Sequence, residues 1–206
     1  MSDNANPWVT GGATSEKEEQ EAAPVARPTT RREALRRPTA PQPTAVQMPE
    51  AADRLPARQV HGGATMWWLG AHGGAGESTL AALALGSQPA AHAWPLPNER
   101  GSLVRATIVA RTNYAGLMAA QRAAREWAAG TTAGQVELSG LVLITDAPGR
   151  RPQELRQLEQ HIAGGYPRLW TLPWVEAWRM GPPSPSDMPR EYRALLADLN
   201  LTASTN

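Results

Sequence analysis

Apolar positions along the chain fall into short blocks separated by glycine, proline and charge, and the spacing within each block predicts its structure. Met66-Trp67-Trp68-Leu69 is an uninterrupted apolar run ending at Gly70, which predicts a buried strand, and Leu80 to Leu85 predicts the first turns of a buried helix. Val104 to Ala110 is β-branched enough for a strand. From Tyr114 to Ala129, Leu117, Ala120, Ala124, Trp127 and Ala128 share one face of a helix, and Gly130 stops it. Leu141-Val142-Leu143-Ile144 is wholly apolar, as in a strand buried on both faces of a parallel sheet. Pro152 opens a helix whose Leu155, Leu158 and Ile162 share a face, Gly164-Gly165 closes it, and Arg168 to Leu172 is the next strand. Alternating strands and helices predict an α/β domain, a parallel sheet flanked by helices. Right-handed crossovers then gather the strand C-terminal ends on one edge.

Outside residues 63–181 the pattern changes. Residues 1–62 hold proline-threonine stretches and two charge clusters with no sustained period, so they are expected to form a disordered N-terminal tail. Residues 182–206 begin with a spacer, Pro182 to Pro185. There follows an i, i+3, i+4, i+7 stripe of Tyr192, Leu195, Leu196 and Leu199, a short C-terminal helix that packs back on the domain or docks on another protein. With 206 residues, 41% of them hydrophobic, the chain can bury one ordinary core. Its net charge of +1 gives no global argument for nucleic acid, and the cluster Arg31, Arg32, Arg36, Arg37 reads either as solvated charge or as a contact for nucleic acid or an acidic protein face. The absence of cysteine excludes disulfides, thiol nucleophiles and cysteine-based zinc sites. No signal-peptide pattern opens the chain and no apolar run approaches a membrane span, so a cytoplasmic protein is expected.

Between the first strand and its helix runs His72-Gly73-Gly74-Ala75-Gly76-Glu77-Ser78-Thr79. The glycines allow positive φ and close approach, so that successive N–H groups can form an anion-binding nest, and Ser78 stands where a Mg²⁺-binding hydroxyl belongs. Glu77 stands where a phosphate-binding loop carries its lysine. The only lysine of the chain is Lys17.

This segment resembles the deviant Walker A box of the partition and septum-positioning ATPases of the ParA/MinD type, with both lysines of that box replaced. The resemblance implies a three-layer P-loop-like fold. His72 takes the place of the lysine that in the family reaches the partner's nucleotide across a dimer, which leaves a homodimer open here. Residues 65 to 181, with their Val-Ala-Arg-Thr-Asn strand end and Asp-Ala-Pro-Gly turn, also resemble uncharacterised actinobacterial proteins associated with mobile elements, which implies no activity.

Two unit charges about 4 Å apart interact by roughly 4 kcal/mol at an effective dielectric near 20, so replacing an attraction by a repulsion weakens nucleotide binding by about three to four decades. A carboxylate near a helix N-terminus also satisfies the dipole that a phosphate would satisfy. The expectation is a catalytically inactive pseudo-ATPase with no catalytic residues, no metal and no cofactor, or at most residual ATP or ADP with Mg²⁺. Such a protein would act as an interaction or regulatory module with a protein partner, in a conjugative or other mobile element. The alternative is a weak or atypical nucleotide-binding ATPase of the partition type, with Arg111 or Arg150 replacing the lysine. A third reading takes Gly70, Gly73 and Gly76 as a dinucleotide loop with Glu99 as the ribose acid, against which Pro95 and Pro97 make a poor second strand. Asp146, ending an apolar strand in Asp-Ala-Pro, reads as a switch aspartate, as a residual ligand contact or as a turn cap.

Eight tryptophans and no phenylalanine mark the aromatic set. Trp67, Trp127 and Trp170 lie on core elements. Trp174 and Trp178, four apart beside Arg179, either pack or form a partner-binding surface. Trp8, in the predicted tail, reads as a linear motif for a partner.

Overall fold

The computed structural model describes residues 37–61, 63–99 and 101–204. A 3-10 turn at Ala51–Asp53 leads into β1 (Ala57–Val60), β2 (Met66–Gly70), α1 (Glu77–Leu83), β3 (Ser87–Pro89) and β4 (Trp94–Pro97). Then come β5 (Val104–Arg111), α2 (Tyr114–Ala128), β6 (Val136–Ile144), α3 (Gln153–Ala163), β7 (Leu169–Leu172), α4 (Ala177–Met180), a 3-10 turn at Pro185–Asp187 and α5 (Arg190–Asp198).

Five strands form one parallel sheet in the order β3-β2-β5-β6-β7. Alternate side chains of each strand enter opposite cores, as the pleat requires. Trp67, Leu69, Ile108, Leu141 and Leu143 face Leu117, Ala120 and Trp127 of α2 and Ile162 of α3. Met66, Trp68, Val109, Val142 and Ile144 face Leu80 and Leu83 of α1 and Tyr192, Leu195 and Leu196 of α5. Helices thus cover both faces, and each fully buried Leu or Ile contributes about 1.5–3 kcal/mol. The start of α2 follows from Asn113, whose Oδ1 accepts the N–H of Gly116 at 2.8 Å.

One boundary differs from the sequence expectation. Residues 37–61, expected in the disordered tail, are tied to the domain by hydrogen bonds although most of them are exposed. Gln42 N–H donates to Ala128 O at 2.8 Å, Arg125 Nε to Gln47 O at 2.9 Å, and Leu55 N–H to a carboxylate oxygen of Glu126 at 3.0 Å. Val60 is buried in the first core, and β1 pairs in parallel with β4 in a separate two-stranded sheet. A segment poor in apolar residues is ordered here by hydrogen bonds to distant partners, which no local period reveals. Of the two expectations for the C-terminal stripe, packing back on the domain is the one the structure shows. The stripe of α5 is buried, Leu85 N–H donates to Thr202 O at 2.8 Å and Ser204 N–H to Leu83 O at 2.9 Å.

Residues 1–36, with Trp8 and the arginines at 31, 32 and 36, lie outside the described residues. Among the described residues no helix is long and apolar enough to cross a membrane.

Candidate functional site

Strand order places one crevice at the edge where the strands end. From β2 the chain crosses through α1 on one face to β3, and from β5 it crosses through α2 on the other face to β6. The C-terminal ends of β2 and β5 are adjacent, Gly70 beside Val109, so their connections diverge there. Ligands of open α/β sheets bind at this switch point. Residues 72–79, together with His92 and Arg111, line a cavity there of about 280 Å³.

Glu77 does not point into solvent. Its Oε2 accepts the N–H of Gly70 at 2.7 Å and that of His92 at 3.3 Å. His92 in turn donates through Nδ1 to Gly70 O at 2.6 Å, so strand end, carboxylate and the turn after β3 are tied together. A Cβ at position 70 would lie 3.1 Å from Glu77 Oε2, close enough that the carboxylate would have to shift. Gly76 caps α1 at φ 109°, and a Cβ on it would stand 2.5 Å from Ile144 Cδ1.

His72 is turned inward. Its Nε2 accepts the N–H of Arg111 at 3.0 Å, which leaves Nδ1 to carry the hydrogen donated to Gly73 O at 2.9 Å. Arg111 crosses the loop, donating from Nε to Gly74 O at 3.1 Å and from Nη1 to Thr145 O at 3.3 Å. Gly73, Gly74 and Ser78 are exposed, while Ala75 is buried.

Other residues singled out by the sequence lie apart from this cavity. Asp146 accepts from Thr112 Oγ1 at 2.8 Å and donates its own N–H back to that hydroxyl at 3.2 Å, an exchange that fixes the turn after β6. Arg150 is exposed on the same turn. Glu99 lines a groove with Thr65, Val104 and Arg105, residues at or before the beginnings of β2 and β5, and so lies on the opposite edge from the loop. The dinucleotide reading loses its ribose acid by this placement. Trp94–Pro97 is a strand after all, but one paired only with β1, outside the main sheet.

Trp174, Trp178 and Tyr192 come together in a recess of about 90 Å³, closed by Ile144, Val175, Thr79, Arg111 and Arg179. Trp178 packs edge-on against Tyr192 with ring centroids 4.9 Å apart. Trp174 Nε1 donates to Glu176 Oε2 at 2.6 Å, and Arg179 donates to the other oxygen at 3.2 Å while lying 5.9 Å from the Trp174 ring centroid. Burial pushes the Tyr192 hydroxyl up to about 12, partly offset by the charge of Arg111.

One functional-looking group escaped the sequence reading. Glu126 lies 1% exposed on the apolar face of α2 and accepts from Trp94 Nε1 at 2.7 Å as well as from Leu55 N–H. Burial raises its pKa, against the opposing effects of these two hydrogen bonds and of Arg54 and Arg122. Its charge adds to the burial that holds the Tyr166 hydroxyl well above the usual range. The available signal was a glutamate inside an otherwise apolar helical stripe. Among the described residues no cluster of His, Asp or Glu can hold a metal.

Fold and site together define an α/β protein whose parallel sheet carries a glycine-rich loop at its switch point. Residues 64–196 match the model of a family of unknown function (DUF6668), and the chain belongs to that family. No curated protein and no solved structure matches the chain.

Proposed function

We propose that the chain is a P-loop-like pseudo-ATPase, a catalytically inactive module that works through a protein partner, as the partner of an active ATPase in a mobile element would. The observation that carries this reading is the position of Glu77. Its carboxylate is the anion of the loop, held by Gly70 and His92, at the place where a phosphate-binding loop needs a cation. His72, in the place of the second family lysine, spends both ring nitrogens on its own loop and on Arg111. The alternative, a weak nucleotide-binding ATPase, draws on one feature: the Arg111 guanidinium reaches the loop carbonyl of Gly74.

Turnover separates the two. The purified chain with ATP and Mg²⁺ is expected to release no phosphate above background. Phosphate release that disappears in Ser78→Ala would overturn the inactive reading and favour the alternative.

A further inference from the structure

We propose that the recess between Trp174, Trp178 and Tyr192 binds a carboxylate side chain from an acidic, apolar segment of a partner protein, with Arg111 as its counter-ion. This rests on the reading of the chain as a binding module and supplies the chemistry of the partner.

The recess combines apolar and aromatic walls with the N–H donors of Arg111 and Arg179. Among the described residues, the ion pairs are Arg122 with Asp53, Arg151 with Glu159 and Arg179 with Glu176, so Arg111 has no carboxylate partner. A guanidinium carries five N–H groups, and backbone carbonyls take only two from Arg111, at Gly74 and Thr145. Trp178, another lining residue, has its Nε1 buried without an acceptor among the described residues. Buried donors without acceptors are costly, and an incoming acceptor removes that cost. The Tyr192 hydroxyl already donates to Pro173 O at 3.2 Å.

The charge balance favours a single negative charge. At the rim, Arg179 is neutralised by Glu176, which also holds Trp174, so one unbalanced cation remains. A carboxylate matches one guanidinium edge, whereas a phosphate would bring a further charge into walls built of Ile144, Val175, Trp174 and Tyr192. A volume of about 90 Å³ admits a side-chain carboxylate and its methylene rather than a larger ligand. Met180, next in the chain to Arg179, is 87% exposed, and Trp, Tyr, Met and Arg together are the residue types enriched at protein interfaces.

The test uses the full chain labelled with ¹⁵N, in which the Trp178 indole signal is assigned by its loss in Trp178→Phe. Two blocked peptides serve as probes, acetyl-Leu-Asp-Leu-amide and acetyl-Leu-Asn-Leu-amide. The Asp peptide is expected to shift the Trp178 indole signal with at least about tenfold higher affinity than the Asn peptide. Arg111→Gln is expected to abolish that preference. Because Arg111 also ties two loop carbonyls, Arg111→Lys is measured alongside: it retains the charge and is expected to keep the preference with weaker binding. Equal binding of the two peptides, no shift at Trp178, or a preference that survives Arg111→Gln would overturn the proposal. Sodium isobutyrate binding as tightly as the Asp peptide would assign the recess to a small carboxylate instead of a partner protein, and also overturn it. Displacement of the peptide by ATP with Mg²⁺ would contradict the inactive reading of the loop while leaving the carboxylate preference standing.

Discussion

Glu77 and Glu126 each accept two N–H donors, and their surroundings give them different work. Glu77 sits at the open switch point and binds two backbone N–H groups, of Gly70 and His92, close to the loop it belongs to. Glu126 sits in the interior and binds one backbone N–H and one indole, of Leu55 and Trp94, from segments far away in sequence. The first ties the end of β2 to the turn after β3, and the second fastens the 37–61 segment and β4 to α2. A carboxylate at a cavity edge competes with ligands, whereas a buried one competes only with water in the unfolded chain.

Removing the interior carboxylate is expected to have the largest effect. Glu126→Ala leaves two buried donors without acceptors, at about 1–3 kcal/mol each, and should lower stability by about 3 kcal/mol in urea unfolding. It should also expose residues 37–61 to proteolysis. A loss below about 0.5 kcal/mol, with those residues still protected, would show that other contacts hold the segment.

Trp178→Ala is expected to cost about 2 kcal/mol, less than for a fully buried tryptophan, because the ring is half-buried and packs edge-on against Tyr192. Melting temperature reads this directly. No change would remove the ring from the second core.

Glu77→Lys breaks the two hydrogen bonds of the loop and is expected to lower stability by about 1–2 kcal/mol. It should at the same time strengthen ATP binding, since it restores the cation. Unchanged nucleotide affinity would mean that the loop is closed by its geometry rather than by charge.

The smallest effect is in pH dependence. Burial raises the Glu126 pKa above the ordinary glutamate value of 4.5, so the folded chain holds this proton more tightly than the unfolded chain. Stability contributed in this way is complete below the unfolded pKa and is lost as pH rises through the raised folded value. Glu126→Gln should flatten the fall of stability with rising pH just above pH 4.5. An identical slope in the variant would contradict the raised value.

How far the sequence reveals this arrangement depends on the range of the cause. The strands at Met66, Val104, Leu141 and Leu169 and the helix from Tyr114 were legible because local apolar periods and Gly130 mark them. The loop was legible from its glycines and from the missing lysine. The two hydrogen bonds of Glu77 were not, since one donor, His92, lies after an edge strand of three residues that has no apolar period of its own. The ordering of residues 37–61 was hidden for the same reason: its partners are Glu126 and the end of α2. Arg111 was singled out from the sequence, but its place between the loop cavity and the aromatic recess depends on the neighbouring strand ends.

A loop that carries its own anion leaves no place for a nucleotide phosphate. Calorimetric titration of the full chain with ATP and Mg²⁺ tests it most directly, with Glu77→Lys titrated beside it. The account predicts no heat of binding for the native chain and measurable binding for the variant. Micromolar binding of ATP to the native chain would contradict it.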